Sequence, residues 1–266
     1  MVDKSEKFSW LVRLGYLSRA IMYGLIGIIA LTGAGRISEG TNGVFSAIEA
    51  FPLGAFVLWL LVTGLAAYGL FRFCSTAFDI EHEGSDAEGW AKRIGHFGSG
   101  IGHLALSFSA YKFATRDEVS GSGAQQAASG LLSMDLGGIV LALLGGAFFL
   151  AALAQARKGI TGSFMHRISR AAPACTRVIG GIGYVARSIV FVVMGLSLIK
   201  AGLMTGDSEQ VKTIGAAVAT LADEGVVFAL VSVGLLVFGV FSVILARYRI
   251  IPDLGEQRKV PQFRLA

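Results

Sequence analysis

Two short stretches of this 266-residue chain carry the same reactive side chains at the same spacing. They are Leu14-Gly-Tyr-Leu-Ser-Arg-Ala-Ile-Met-Tyr23 and Ile182-Gly-Tyr-Val-Ala-Arg-Ser-Ile-Val-Phe191, 168 positions apart. A third relative reads Arg93-Ile-Gly-His-Phe-Gly-Ser-Gly-Ile-Gly-His103. Gly15, Gly95 and Gly183 align, followed by Tyr16, His96 and Tyr184, then Arg19, Ser99 and Arg187, then Tyr23, His103 and Phe191. Positions i, i+3 and i+7 share one face of a helix. Each stretch therefore presents a polar-aromatic stripe. If the stripes face one another, Arg19 and Arg187 are suited to an anionic group, because a guanidinium offers its donors as a fixed fork. His96, His103, Tyr16, Tyr23 and Tyr184 would complete such a ligand-binding cluster.

Plainer roles compete at each position. An arginine at the depth of Arg19, roughly 6–9 Å inside a helix that starts near Leu14, can also snorkel to lipid phosphates. His103 either takes a proton-linked role or hydrogen-bonds a neighbouring helix. Two histidines at i,i+7 stand about 10 Å apart along a helix, too far to share a metal ion. Axial haem ligands come from opposite sides of the iron, so haem is not expected either. Gly181-Ile-Gly-Tyr-Val-Ala186 has a dinucleotide-like spacing but follows no strand. Asp79, Glu81, His82 and Glu83 read as a solvated loop with a loose cation-binding alternative. No catalytic constellation, metal site or cofactor is expected, and the chain is not read as an enzyme.

The elements that must hold these stripes follow from composition. With 54% hydrophobic and only 15% charged residues, the chain reads as a membrane protein rather than a soluble domain. Six apolar segments, each roughly 20 residues with its flanks, are long enough to span. Eighteen of the 23 Lys and Arg residues fall on the side that six spans assign to both termini, which predicts cytoplasmic ends. The basic excess thus reports topology and an anionic-lipid contact, not nucleic acid. Cys74 and Cys175 fall on that side as well and are expected to be reduced. The first apolar segment recurs later in the chain, so it is read as a span rather than a cleaved signal.

Behind each stripe comes a small-residue stretch, 43–51, 123–134 or 213–224, then a second apolar segment ending near Arg72, Arg157 or Arg247. These are three copies of a unit of helix, short amphipathic surface helix and helix, over 1–91, 92–175 and 176–266. Each copy has two spans, so all enter in the same direction, around an axis along the membrane normal. The expected fold is an all-α membrane protein, a pseudo-threefold bundle of six transmembrane helices. Gly27, Ser107 and Gly195 would then meet on the axis and close it. Gly138, Ala142 and Gly146 read as an ordinary packing ladder, and Asp135, Asp223 and Glu224 as helix caps.

Arg13-Leu-Gly-Tyr-Leu-Ser-Arg-Ala-Ile-Met-Tyr23 and Ala246-Arg-Tyr-Arg249 resemble the motifs of a bacterial integral membrane family, domain of unknown function 1206. The middle unit departs from that pattern, with histidines for aromatics and Ser99 for arginine. The resemblance implies three tandem two-helix units in the bacterial inner membrane and assigns no activity. Two roles remain open: a non-enzymatic accessory or scaffold protein that packs against itself or another membrane complex, and a protein that binds or transports a small anion or lipid headgroup. The topology is checked by labelling single cysteines near either end in intact spheroplasts. Both are expected to stay unlabelled until the membrane is opened; labelling of one end alone would remove the three-hairpin reading.

Overall fold

A computed structural model describes residues 4–32, 40–116 and 123–251, with side chains from Ser9 onward. Arg36 and the tail bearing Arg258, Lys259 and Arg264 lie outside the described residues. The helices are α1 (Lys4–Thr32), α2 (Thr41–Glu49), α3 (Gly54–Phe78), α4 (Ala87–Thr115), α5 (Gly123–Leu132), α6 (Gly137–Thr161), α7 (Thr176–Lys200), α8 (Ile214–Ala219) and α9 (Val226–Tyr248). Three successive long-short-long units are therefore present.

Five of the long helices are apolar and long enough to cross a membrane: α1, α3, α6, α7 and α9. α4 has 29 residues but mixes histidines, serines and glycines into its apolar sequence. α7 runs on through a π-turn, Ala201–Thr205, and stops at Gly206, whose φ of 62° suits a residue without a side chain.

The long helices pack in a row: α4, α3, α1, α9, α7, α6. The most extensive pairings join the second helix of one unit to the first helix of the next: α3 with α4, α6 with α7, and α9 with α1. α1 also packs on α3, and α7 on α9. The equivalent pairing in the middle unit, α4 with α6, forms no comparable interface among the described residues.

Apolar lipid gives little hydrophobic drive to bring helices together, so close backbone approach must do it. The α6–α7 interface does this with a seven-residue ladder running in opposite directions on the two helices. A Cβ on Gly145 would lie 2.6 Å from the Gly195 carbonyl oxygen, and one on Gly159 would lie 2.8 Å from that of Gly181. Gly138 and Gly202 meet in the same way, and buried Ala152 and Ser188 occupy the matching step. The ladder is thus Gly138, Gly145, Ala152, Gly159; Gly146 of the expected ladder has open space instead.

Gly27, Ser107 and Gly195 do not meet on an axis. Gly27 lies against the backbone of Ser232 and Leu236 on α9, Ser107 donates its hydroxyl to the Val62 carbonyl on α3 at 2.7 Å, and Gly195 faces Gly145 on α6. All three serve the unit-to-unit pairings. The short helices also differ from expectation. α2 buries Val44, Phe45, Ala47 and Ile48, and α8 buries Ala217 and Val218, so both are packed into the bundle end rather than lying on its surface. Only α5 is largely exposed. Asp135, Asp223 and Glu224 lie just before α6 and α9, whose cap positions, Leu136 and Gly225, make no side-chain cap hydrogen bond, whereas Asp86 accepts from the Gly89 amide at 3.0 Å and starts α4.

Overpacking a tight interface costs about 1–3 kcal/mol. Gly145→Leu is therefore expected to lower the melting temperature in detergent by several degrees, while Gly146→Ala leaves it unchanged. Equal melting temperatures for the two variants would remove the ladder as a source of stability.

Candidate functional site

Glu81 organises the end of the bundle where α1 begins and α9 ends. Asp79, in the left-handed conformation with φ 46°, closes α3, and its carboxylate accepts the Glu83 and Gly84 amides at 2.8 and 3.0 Å. That turn directs Glu81 inward, where its side chain is only 4% exposed. The segment between α6 and α7 pairs with the end of α9: the Ile250 amide donates to the Arg167 carbonyl, and the Ser169 amide to that of Tyr248, both at 2.9 Å. Arg167 and Arg249 are thereby brought to the same carboxylate. Arg249 Nη2 donates to Glu81 Oε1 at 2.6 Å, Arg167 donates to Oε2, and Arg72 Nη1 lies 3.5 Å from Oε2. His96 Nε2 stands 3.3 Å away on α4. Burial would push the Glu81 carboxyl up, but Arg72, Arg249 and Arg167 together hold it well below the usual carboxylate range.

Within the loop expected to be solvated, Glu81 is thus buried in an ion network while His82 stays exposed, because three guanidiniums compensate the buried charge. Ligand atoms of Glu81, Glu83 and His96 do lie within 4.8 Å of one another. Both carboxylates, however, already accept from Arg167, and a divalent cation there would face the surrounding guanidiniums. Arg72 proves unlike its expected equivalents: it turns inward, whereas Arg157 and Arg247 are exposed.

Arg72 also donates to the Tyr68 hydroxyl oxygen through Nε and Nη2, at 3.0 and 2.6 Å. On the other side of that oxygen, Arg19 Nη1 donates at 2.9 Å. A single phenol therefore links the surface network to a deeper group of cations. Arg19 is 5% exposed, and its guanidinium carbon lies 5.1–5.4 Å from the ring centres of Tyr16, Tyr68 and Phe238. It does not snorkel: these rings and the Tyr68 hydroxyl hold it inside. Arg187 sits in a similar cage, 4.7–5.3 Å from Phe191, Phe238 and Tyr23. Phe238 of α9 lies within 5.2 Å of both guanidinium carbons, so two stripes converge on one ring.

Desolvated cation–π contacts contribute about 2 kcal/mol each, and they leave hydrogen-bond donors unused. The Nε atoms of Arg19 and Arg187 are buried without a partner, as is the Tyr16 hydroxyl. Among the described residues neither arginine meets a carboxylate, whereas the nearby Arg72, Arg167 and Arg249 all do.

The histidine stripe divides. His103 is buried, its ring centre 4.5 Å from that of Tyr68. Its Nδ1–H donates to the Ser99 carbonyl of its own helix at 2.7 Å, not to a neighbouring helix. His96 belongs to the Glu81 network instead, with its Nδ1 unpartnered. Tyr184 packs on Phe164, Phe238 and Phe241. Tyr16 and Tyr23 are buried beside the two arginines. Sequence reasoning missed Tyr68 and Phe238, and it read Arg72 only as a helix end and Glu81 only as part of a loop. An i,i+4 Tyr-Arg pair on a second helix was the available signal for two of them.

The apolar spanning helices and this enclosed polar centre define a multi-pass membrane protein. The model of the family described as Domain of Unknown Function (DUF1206) matches three tandem segments, 14–79, 94–162 and 182–249, and the chain belongs to that family. It is similar to the "Uncharacterized protein YxxB" of Bacillus subtilis (strain 168), 26% identical over 260 residues that cover 92% of this chain and 94% of that protein. No solved structure matches.

Removing one partner of a buried ion pair costs about 3–5 kcal/mol. Glu81→Gln is therefore expected to lower thermal stability strongly. Because its folded-state affinity for protons is depressed, Glu81 contributes stability above the ordinary carboxylate range and loses it as the pH falls through and below that range. Acid denaturation curves of wild type and Glu81→Gln should converge at low pH. A constant gap between them would show that the carboxylate's charge is not what matters.

Proposed function

We propose that this is a six-span, non-enzymatic protein of the bacterial cytoplasmic membrane that binds an anionic group between Arg19 and Arg187. Both termini are cytoplasmic, as the distribution of Lys and Arg favours. α4 supplies the sixth span. Ile94, Phe97, Ile101 and Phe108 are all exposed, as a lipid-facing surface would be, while His96 and His103 turn the other way, toward Glu81 and Tyr68. The three unit-to-unit pairings and the two closed intra-unit pairings fit a six-helix ring in chain order with pseudo-threefold symmetry.

One observation carries the binding reading: two interior guanidiniums whose Nε donors have no partner and which meet no carboxylate among the described residues. Each buried donor left unmade costs about 1–3 kcal/mol, and an intramembrane charge is costly unless it has a role. An anion would take up both donors and neutralise the excess. The residues are Arg19 and Arg187, with Tyr16, Tyr23, Tyr184 and His103 around them.

A scaffold role draws on a different observation. Gly95, Gly98 and Gly102 of α4 face open space, as a surface awaiting a partner helix would. The two readings separate on purified protein titrated with inorganic phosphate by calorimetry. Charged hydrogen bonds contribute about 1.5–3 kcal/mol each, so Arg19→Gln/Arg187→Gln should weaken binding about tenfold or more. Unchanged phosphate binding in a monodisperse double variant, together with a stoichiometric co-purifying membrane partner, would leave the scaffold role alone.

A further inference from the structure

The middle unit keeps the surfaces of a helix pairing that its neighbours make and it does not. Counting from the starts of the matched segments, Ser18, Gly98 and Ala186 are equivalent; counting from their ends, so are Gly64, Ala147 and Gly234. In the first unit a side chain on Gly64 would overlap Ser18, and in the third one on Gly234 would overlap Ala186. Gly98 meets nothing within 4 Å. The same holds one turn away. A Cβ on Gly15 would lie 2.5 Å from that of Tyr68, and one on Gly183 would lie 2.8 Å from that of Phe238; Gly95 meets nothing, and Ala151 stands where the others have an aromatic ring. Gly102 replaces Met22 and Val190, both buried in their units, and it too has open space. Five neighbouring pairs of the proposed ring are closed; α4 and α6 form no comparable interface among the described residues, and Gly95, Gly98 and Gly102 meet nothing within 4 Å.

We infer that the α4–α6 seam is a lateral entry from the bilayer, and that the anion held by Arg19 and Arg187 is the phosphate headgroup of a lipid whose chains lie in the seam. This deepens the binding reading above and rests on it. A slot between spanning helices is in contact with acyl chains; Gly95, Gly98 and Gly102 leave room for one, and the equivalent Ala147 of α6 is exposed. Behind the missing wall lie two cations that meet no carboxylate among the described residues. Arg187, although near the middle of α7, remains partly accessible, as a headgroup site must. An apolar seam outside a positive interior matches an amphiphile with a negative head, whereas a free anion has no use for the seam and a partner helix has none for the arginines.

The test compares two probes on one protein: dihexanoyl-phosphatidylglycerol and inorganic phosphate. Wild type is expected to bind the lipid about tenfold more tightly, since the seam adds buried methylenes. With Cys74 and Cys175 replaced by serine, Gly98→Cys/Ala147→Cys should cross-link on oxidation, because the equivalent residues touch in the two closed units. Locked shut, the protein should lose the lipid's advantage and keep phosphate; reduction should restore it. Equal affinity for the two probes in wild type, or a lipid advantage that survives locking, would overturn the lateral entry while leaving the anion site intact. Failure to bind either probe in any form would instead remove the binding reading itself. A photo-reactive residue at Gly98 should give lipid adducts in cells; a protein adduct in their place would assign the seam to a partner helix and overturn the proposal.

Discussion

One buried carboxylate holds this bundle together at its charged end. Glu81 comes from the turn after α3, yet its partners come from α3, from α4, from the segment before α7 and from beyond α9. All three units therefore meet on one acidic side chain. An isolated carboxylate in so dry a place would take up a proton. Here three guanidiniums keep it ionised, and it allows them to sit together. The compensation stops there. Arg19, one phenol further in, has only aromatic faces and the Tyr68 hydroxyl, and Arg187 has its own aromatic cage. A gradient follows, from paired charge at the bundle end to unpaired charge inside, and the unpaired part is the candidate site.

The helix pairings account for how two arginines from distant parts of the chain approach one ring. Each second helix lies mainly against the first helix of the following unit, so α9 returns to α1 and carries Phe238 to within 5.2 Å of both Arg19 and Arg187. Small residues make these approaches possible, and the bundle is tight where they face backbone. Where they face nothing, at Gly95, Gly98 and Gly102 of α4, the same chemistry leaves the helix face open. Tightness and openness thus come from one residue type in two settings.

Much of this arrangement is legible in residue order. The three units, their long-short-long pattern and the common helical face of Tyr16, Arg19 and Tyr23 follow from repeat and helical period. Three things do not. Neighbour choice is invisible, because Gly27 and Gly195 look equally able to face an axis or a flanking helix. The burial of Glu81 depends on Arg167 and Arg249, which lie 86 and 168 positions away. Equivalence by position in a motif is also no guarantee of equivalent environment: Arg157 and Arg247 end their helices much as Arg72 does and remain exposed, because neither has a Tyr68 or a Glu81 to turn toward. The marginal apolarity of α4 has the same origin, since Arg93, His96 and Ser107 answer to partners outside their own helix.

Arg13 donates to the carbonyls of Ala246 and Arg247, both at 2.7 Å, and so ties the first helix to residues more than 230 positions further along. The order of synthesis makes this a problem of timing. α1 leaves the ribosome first, but the helix that covers its glycine face and supplies Phe238 to Arg19 is made last. Until then a half-sheltered arginine must wait in the membrane, with Tyr16 and Tyr68 as its company. Assembly of the bundle is complete only when the whole chain has been inserted, so a protein shortened at its carboxyl end would expose its amino-terminal helix to quality control.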